Sequence, residues 1–174
     1  MKQAKNRVVP IIITVLIIVV IICLFATVKQ PLIVCNRRTV DSLGIVLSEK
    51  LETTIDGKKI SSMNLTKTII LPDKYLKDDK YIEMIIDSLK KSYRYLDEEN
   101  VTITSGDDRV IVKVSINDDE TIILNNINFT DKDDLTIHIN PNTKSSDVIT
   151  LKVKDNYSVG ELKTCMKNNG YSCK

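Results

Sequence analysis

From Val8 to Val28 the chain runs for about 20 residues without a single charge, and nearly all of them are Ile, Val or Leu. As a helix such a segment would reach about 32 Å, enough to cross the hydrocarbon core of a bilayer. β-Branched residues weaken a helix in water. In lipid the backbone must satisfy its own hydrogen bonds, and a helix is the way a single segment does so. Pro10 falls in the first turn, where its missing N–H costs little. Two other readings are weaker. A cleaved signal peptide has an apolar core of roughly 7–15 residues and a small-residue cleavage site, and Ala26-Thr27-Val28 is a poor one. A lipidation site at Cys35 should follow a small residue, but Val34 precedes it. The expected organisation is therefore a cytoplasmic tail (1–7), a transmembrane helix (8–28), a juxtamembrane linker (29–43) and an extracytoplasmic domain (44–174). Lys2, Lys5, Arg7 and the amino terminus outweigh Lys29, Arg37 and Arg38 by a narrow margin, which favours tail-inside.

All 23 acidic residues and all but three of the 25 basic ones lie beyond the apolar run. The remainder is close to neutral. Pairs such as Lys58-Lys59 and Lys90-Lys91 are interrupted by acids, so no nucleic-acid surface is expected. Of the four cysteines, Cys23 lies inside the apolar run. Cys35, Cys165 and Cys173 have neither CxxC spacing nor a nearby histidine, which argues against a zinc site. Outside the cytoplasm one pair can oxidise, and three pairings are open.

Hydrophobic periodicity sketches the domain. Gly44 to Ile55 alternates, with Ile45, Leu47, Leu51, Thr53 and Ile55 on one face. Asp56-Gly57 signals a hairpin, and the return strand runs from Lys58 to Leu71 with Met63, Leu65, Ile69 and Leu71 on one face. Glu49 and Lys67 break these faces, as residues at a sheet edge or its wet end would. Tyr81, Ile82, Ile85, Ile86, Leu89, Tyr93 and Leu96 recur at three- and four-residue steps, predicting a helix over Asp79–Leu96 that lies across the hairpin. Val101–Thr104 and Arg109–Ile116 form a second hairpin. Thr121–Phe129 holds short apolar runs, Leu135, Ile137 and Ile139 alternate, Asn140-Pro141-Asn142 turns the chain, and Val148–Val153 reads as a strand. Ser158 and Glu161 have capping-box spacing for a helix from Val159 to Asn168, with Val159, Leu162, Cys165 and Met166 inward and Gly170 as terminator. The expected fold class is α+β: one N-terminal transmembrane helix, then an antiparallel β-sheet packed on one amphipathic helix, with a short C-terminal helix.

Several of these pieces together resemble the YehR-like bacterial surface lipoproteins and their membrane-anchored relatives. They are Cys35 just outside the apolar run, the strands around Asp56-Gly57-Lys58-Lys59-Ile60, the helix Tyr81–Leu96, the strand Arg109–Ile116 and the ending Asn169-Gly170-Tyr171-Ser172-Cys173-Lys174. Residues 117–156 read as an insertion relative to that pattern. The resemblance implies a small surface α+β domain of unestablished activity and supplies no catalytic residues. It also implies one disulfide, Cys35–Cys173, with Cys165 left as a buried thiol. Such a long loop closure is worth about 4–5 kcal/mol in the chain-entropy model.

Chemistry-bearing motifs are missing. There is no G-x-S-x-G, H-E-x-x-H, Walker or dinucleotide glycine pattern. The single His138 falls on the polar side of a short strand and reads as an ordinary surface residue, without the partners of a Cys–His or Ser–His site. The clusters Asp118-Asp119-Glu120 and Asp131, Asp133, Asp134 lack the EF-hand glycine and terminal glutamate, and read as solvated turns rather than a Ca²⁺ site. No catalytic, cofactor or metal residue is expected. The leading function class is a non-enzymatic, membrane-anchored extracytoplasmic domain. Its partners would be the lipid bilayer through residues 8–28 and a protein or cell-envelope component. The alternatives are a tethered enzyme with a scattered site and a cytosol-facing adaptor.

Overall fold

Strand-forming residues in alternation dominate the chain beyond Pro31, and the backbone follows them. The computed structural model describes residues 32–117, 119–124, 126–131, 134–139 and 149–174. A six-stranded antiparallel sheet has the spatial order β10-β1-β2-β3-β5-β4. Its members are β1 (Leu32–Val40), β2 (Val46–Asp56), β3 (Lys59–Ile70), β4 (Val101–Ser105), β5 (Arg109–Ile116) and β10 (Ser172–Cys173). Two further antiparallel pairs join β6 (Thr121–Leu124) to β9 (Ile149–Lys152) and β7 (Ile127–Asp131) to β8 (Leu135–Ile139). The helices are α1 (Lys80–Tyr93) and α2 (Val159–Asn168).

This corrects the expected fold class. The described chain is mostly β-sheet, with ten strands against two α-helices, so α+β overstates the helical share. No described helix is long and apolar enough to cross a membrane. The run 8–28 that carried the transmembrane expectation lies outside the described residues. The linker expected over 29–43 is also corrected: from Leu32 to Val40 it is a full strand, paired along its length with β2. Ile33 and Cys35 point into the core, and that burial recruits the segment into the sheet.

The hairpin contains one irregularity. Gly57 takes φ +62° in a two-residue turn between Asp56 and Lys59, a backbone state glycine reaches without Cβ strain. Thr54 faces Ser62 and Ile55 faces Ile60, so Ser61 is an extra residue in β3, and its hydroxyl donates to the Thr54 carbonyl at 3.2 Å. The bulge switches side-chain parity. It allows Ile60 to share the buried face with Met63, Leu65, Lys67 and Ile69.

One face of the sheet is buried and the other is polar, with Lys50, Asn64, Lys113 and Ser115 exposed. α1 is shorter than Asp79–Leu96 and packs chiefly against β4, β5 and β8, not across the β2–β3 hairpin as expected. Residues 117–156, expected as an insertion, feed Ile122, Leu124, Ile127, Leu135, Ile149, Leu151 and Val153 into the same buried cluster as the sheet. Their end rejoins the first hairpin: the Lys154 N–H donates to the Ile60 carbonyl at 2.8 Å, and the Tyr157 N–H to the Lys58 carbonyl at 2.9 Å. The β7–β8 pair is tied to the start of α1 and to the turn that precedes it by polar contacts. Tyr75 Oη donates to Asp131, and Tyr81 Oη donates to Asp134 at 2.6 Å.

α2 behaves as its sequence predicts. Ser158 and Glu161 complete a reciprocal capping box, a motif whose Ser contributes about 1 kcal/mol. At the other end the Gly170 N–H donates to the Lys167 carbonyl at 3.0 Å and the Tyr171 N–H to the Met166 carbonyl at 3.0 Å, a Schellman closure with Gly170 at φ +81°. That closure turns the last residues back toward the sheet and delivers Tyr171 to the core.

Candidate functional site

The paired register places one row of inward-facing side chains across the sheet: Arg37, Glu49, Lys67, Val112 and Ile103, on β1, β2, β3, β5 and β4. Three of its five members, Arg37, Glu49 and Lys67, are charged. Lys67 Nζ lies 2.9 Å from Glu49 Oε1, and Arg37 Nε donates to Oε2 at 2.6 Å. Tyr171 Oη donates to the same Oε2 at 2.9 Å, and the Arg37 guanidinium sits 4.8 Å from the centre of the Tyr171 ring. Arg37 also reaches Asn126 Oδ1 at 3.1 Å and the Asn169 carbonyl at 3.4 Å. Tyr93, at the end of α1, interacts electrostatically with Lys67. Glu49 and Lys67 are each 1% exposed, so they occupy the interior and not a wet end.

Burial pulls the Glu49 carboxyl upward. Lys67, Arg37 and two hydrogen bonds outweigh it, and the net pKa falls below the ordinary value. For Lys67 burial pulls downward, but Tyr93 and Glu49 raise the net value. Burial, then the neighbouring Glu49 charge, raises Tyr171, and burial raises Tyr93. These directions set a stability window. Glu49 contributes fully above the unfolded carboxyl pKa of about 4.3, and that contribution is lost as pH falls through its lower folded value. Lys67, Tyr93 and Tyr171 hold their protons more tightly when folded. Their contributions are complete below about pH 10 and are lost as pH rises beyond it. Urea midpoints measured from acid to alkali should therefore show a plateau between about pH 5 and 10 with a fall on both sides. A midpoint that keeps rising above pH 10 would contradict the buried pairing.

A cavity of about 520 Å³ opens at the far end of the same row. The last turn of α1 and the segment after it supply Lys90, Tyr93, Arg94 and Leu96, while β4 supplies Val101 and Ile103. Tyr93 and Leu96 are buried and form an apolar floor. Lys90 and Arg94 are exposed and stand at the rim, with Glu98 as the acidic member of the lining. Tyr93 thus lines the cleft and is also coupled electrostatically to Lys67 of the buried ion row. Among the described residues β4 has one strand neighbour, β5. Its backbone edge lies directly beside the cleft. A cleft of this make-up can hold an apolar group beside an anion, and its lining pairs no nucleophile with a base.

The remaining sequence candidates are spread over the surface. His138 is exposed on β8, with Nε2 3.4 Å from Thr130 Oγ1. Each described carboxylate of the acidic clusters has a different neighbour. Asp119 pairs with Lys154 at 2.8 Å, Glu120 accepts from Asn100 at 2.6 Å, and Asp131 and Asp134 engage Tyr75 and Tyr81. Asp118 and Asp133 lie outside the described residues, and among the described ones no group of three or more His, Cys, Asp or Glu side chains could hold a metal. Cys35 and Cys173 are disulfide-bonded, directly opposite one another on β1 and β10. Cys165 is a free thiol and half-buried, more exposed than its place on the helix pattern predicted. The ion row escaped the sequence reading. The available signal was the pair of opposite charges interrupting two neighbouring apolar faces, but aligning them required the Ser61 bulge.

No family model matches this chain, and no curated protein or solved structure matches it either. The resemblance to YehR-like surface lipoproteins thus gains no support from these comparisons.

Proposed function

We propose that this chain is an extracytoplasmic binding domain held at the cell membrane by the apolar run 8–28, with its amino terminus in the cytoplasm. It engages a protein or envelope component and catalyses no reaction. The observation that carries this reading is the Cys35–Cys173 disulfide, which persists in oxidising compartments and is rare in the cytosol. The charge-free run preceding it supports tethering, and a surface role accords with what the family resemblance implies. The cleft beside β4, an apolar floor with a cationic rim and no catalytic pair, supports binding over catalysis.

An impermeant maleimide tests the topology on intact cells. Cys35 and Cys173 should become labelled only after treatment with an impermeant reductant. Labelling of both without reductant, and only after lysis, would place the domain in the cytosol and overturn the reading.

A further inference from the structure

We propose that the β4 cleft receives an extended polypeptide segment of a partner protein, added as a seventh strand along β4, with an aliphatic and an acidic side chain at alternate positions. This rests on the binding reading above and names the partner's chemistry. Three observations carry it.

The first is the contrast between the two sheet edges. The β10 edge is only two residues long and is locked by the disulfide. The β4 edge, Val101-Thr102-Ile103-Thr104-Ser105, contains no proline and no charge, the devices that usually block strand addition. The second is register. Val112 and Ile103 continue the inward row from β3 to β5 and β4. The next position in that row, on an added strand, falls in the cleft beside Tyr93 and Leu96. Side chains two residues apart on such a strand share that face. The third is charge. Lys90 and Arg94 stand at the cleft rim and are matched by an acidic side chain next to the apolar one.

A second copy of this chain fits the edge poorly. An antiparallel β4–β4 pair centred on Ile103 would set Glu98 and Glu99 of one copy against Asp108 and Asp107 of the other. It would also bring the two cationic rims together.

The test uses the full-length chain in mild detergent and a displayed library of random nonapeptides. Enriched peptides should lack internal proline and carry aliphatic and acidic residues two positions apart. A synthetic peptide of the enriched sequence should slow amide exchange across residues 101–105. Arg94→Glu, an exposed change, should weaken that peptide about tenfold, and exchanging the peptide's acid for lysine should restore binding to the variant. No enrichment, protection on the polar sheet face instead of β4, indifference to Arg94→Glu, or concentration-dependent dimerisation that protects β4 without peptide would each overturn the proposal. Peptide binding that protects another surface would remove this site while leaving a binding function intact. The labelling test above is independent of all these outcomes.

Discussion

Glu49→Leu should destabilise the domain by about 3–5 kcal/mol, because it leaves the Lys67 ammonium buried beside Arg37 with its anion gone. Lys67→Met should cost less. It leaves Glu49 paired with Arg37 and hydrogen-bonded to Tyr171. Combining the two substitutions should recover much of the loss, since the most deeply buried cation and its carboxylate then disappear together. The sign of the pH response supplies a second readout. In the native chain Glu49 helps hold the Lys67 pKa above its ordinary value, so stability falls as pH rises past about 10. Without Glu49 burial dominates and depresses Lys67, so the unfolded state binds more protons and stability should rise with pH between about 7 and 10. Chemical denaturation of both single variants and the double variant at two pH values gives all of these quantities. Equal, additive losses in the two single variants would mean that the three charges do not act as a unit.

Replacing both Cys35 and Cys173 by serine should cost about 3–5 kcal/mol, because the bond closes a loop of sequence separation 138. Its local effect should be unusually broad. β10 is a two-residue strand, held on β1 by the Cys35–Cys173 and Asn36–Ser172 pairs and by hydrogen bonds between Val34 and Lys174. Tyr171 stands immediately before that strand and caps Glu49. Loss of the crosslink frees the strand, exposes Glu49 to competing water and weakens the hold on Arg37. The Cys35→Ser/Cys173→Ser pair and Glu49→Leu should therefore be less than additive when combined. Thermal unfolding of the two variants and their combination measures this. Non-reducing peptide mapping checks the pairing itself, and recovery of Cys165–Cys173 would refute it.

How much of this was legible in the sequence differs element by element. The strands of the first hairpin, β5 and the capped helix α2 follow from local rules: period-two alternation, a glycine turn, a capping box and a left-handed terminator. Each signal lies within a dozen residues. β1 was missed because only Ile33 and Cys35 are buried there, and Arg37, Arg38 and Asn36 give the segment the look of a linker. The two short pairs formed by β6 to β9 were only half seen. Their strands are four or five residues long, and short apolar runs between asparagines carry little period. The landing of α1 on β4, β5 and β8 could not be read from its apolar stripe, which states that a face is buried but not against what.

The candidate sites divide in the same way. Lys90 was visible in a short basic pair, and Tyr93 as part of a helix's apolar stripe. Their convergence on a sheet edge required knowing that β4 is the last strand of the sheet among the described residues. Glu49 and Lys67 were visible as interruptions, yet the alternation rule assigned them to a sheet edge or its wet end.

What the residues alone determined here was every feature whose energy is local: the charge-free run at the amino terminus, the turns, the caps and the amphipathic faces. Tertiary structure alone decided which faces meet, through a single extra residue at Ser61 and a terminal strand of two residues clamped by a crosslink. The reason is physical. Pairing partners distant in sequence are chosen by summed burial and by the compensation of buried charge, and neither quantity exists until the strands are side by side.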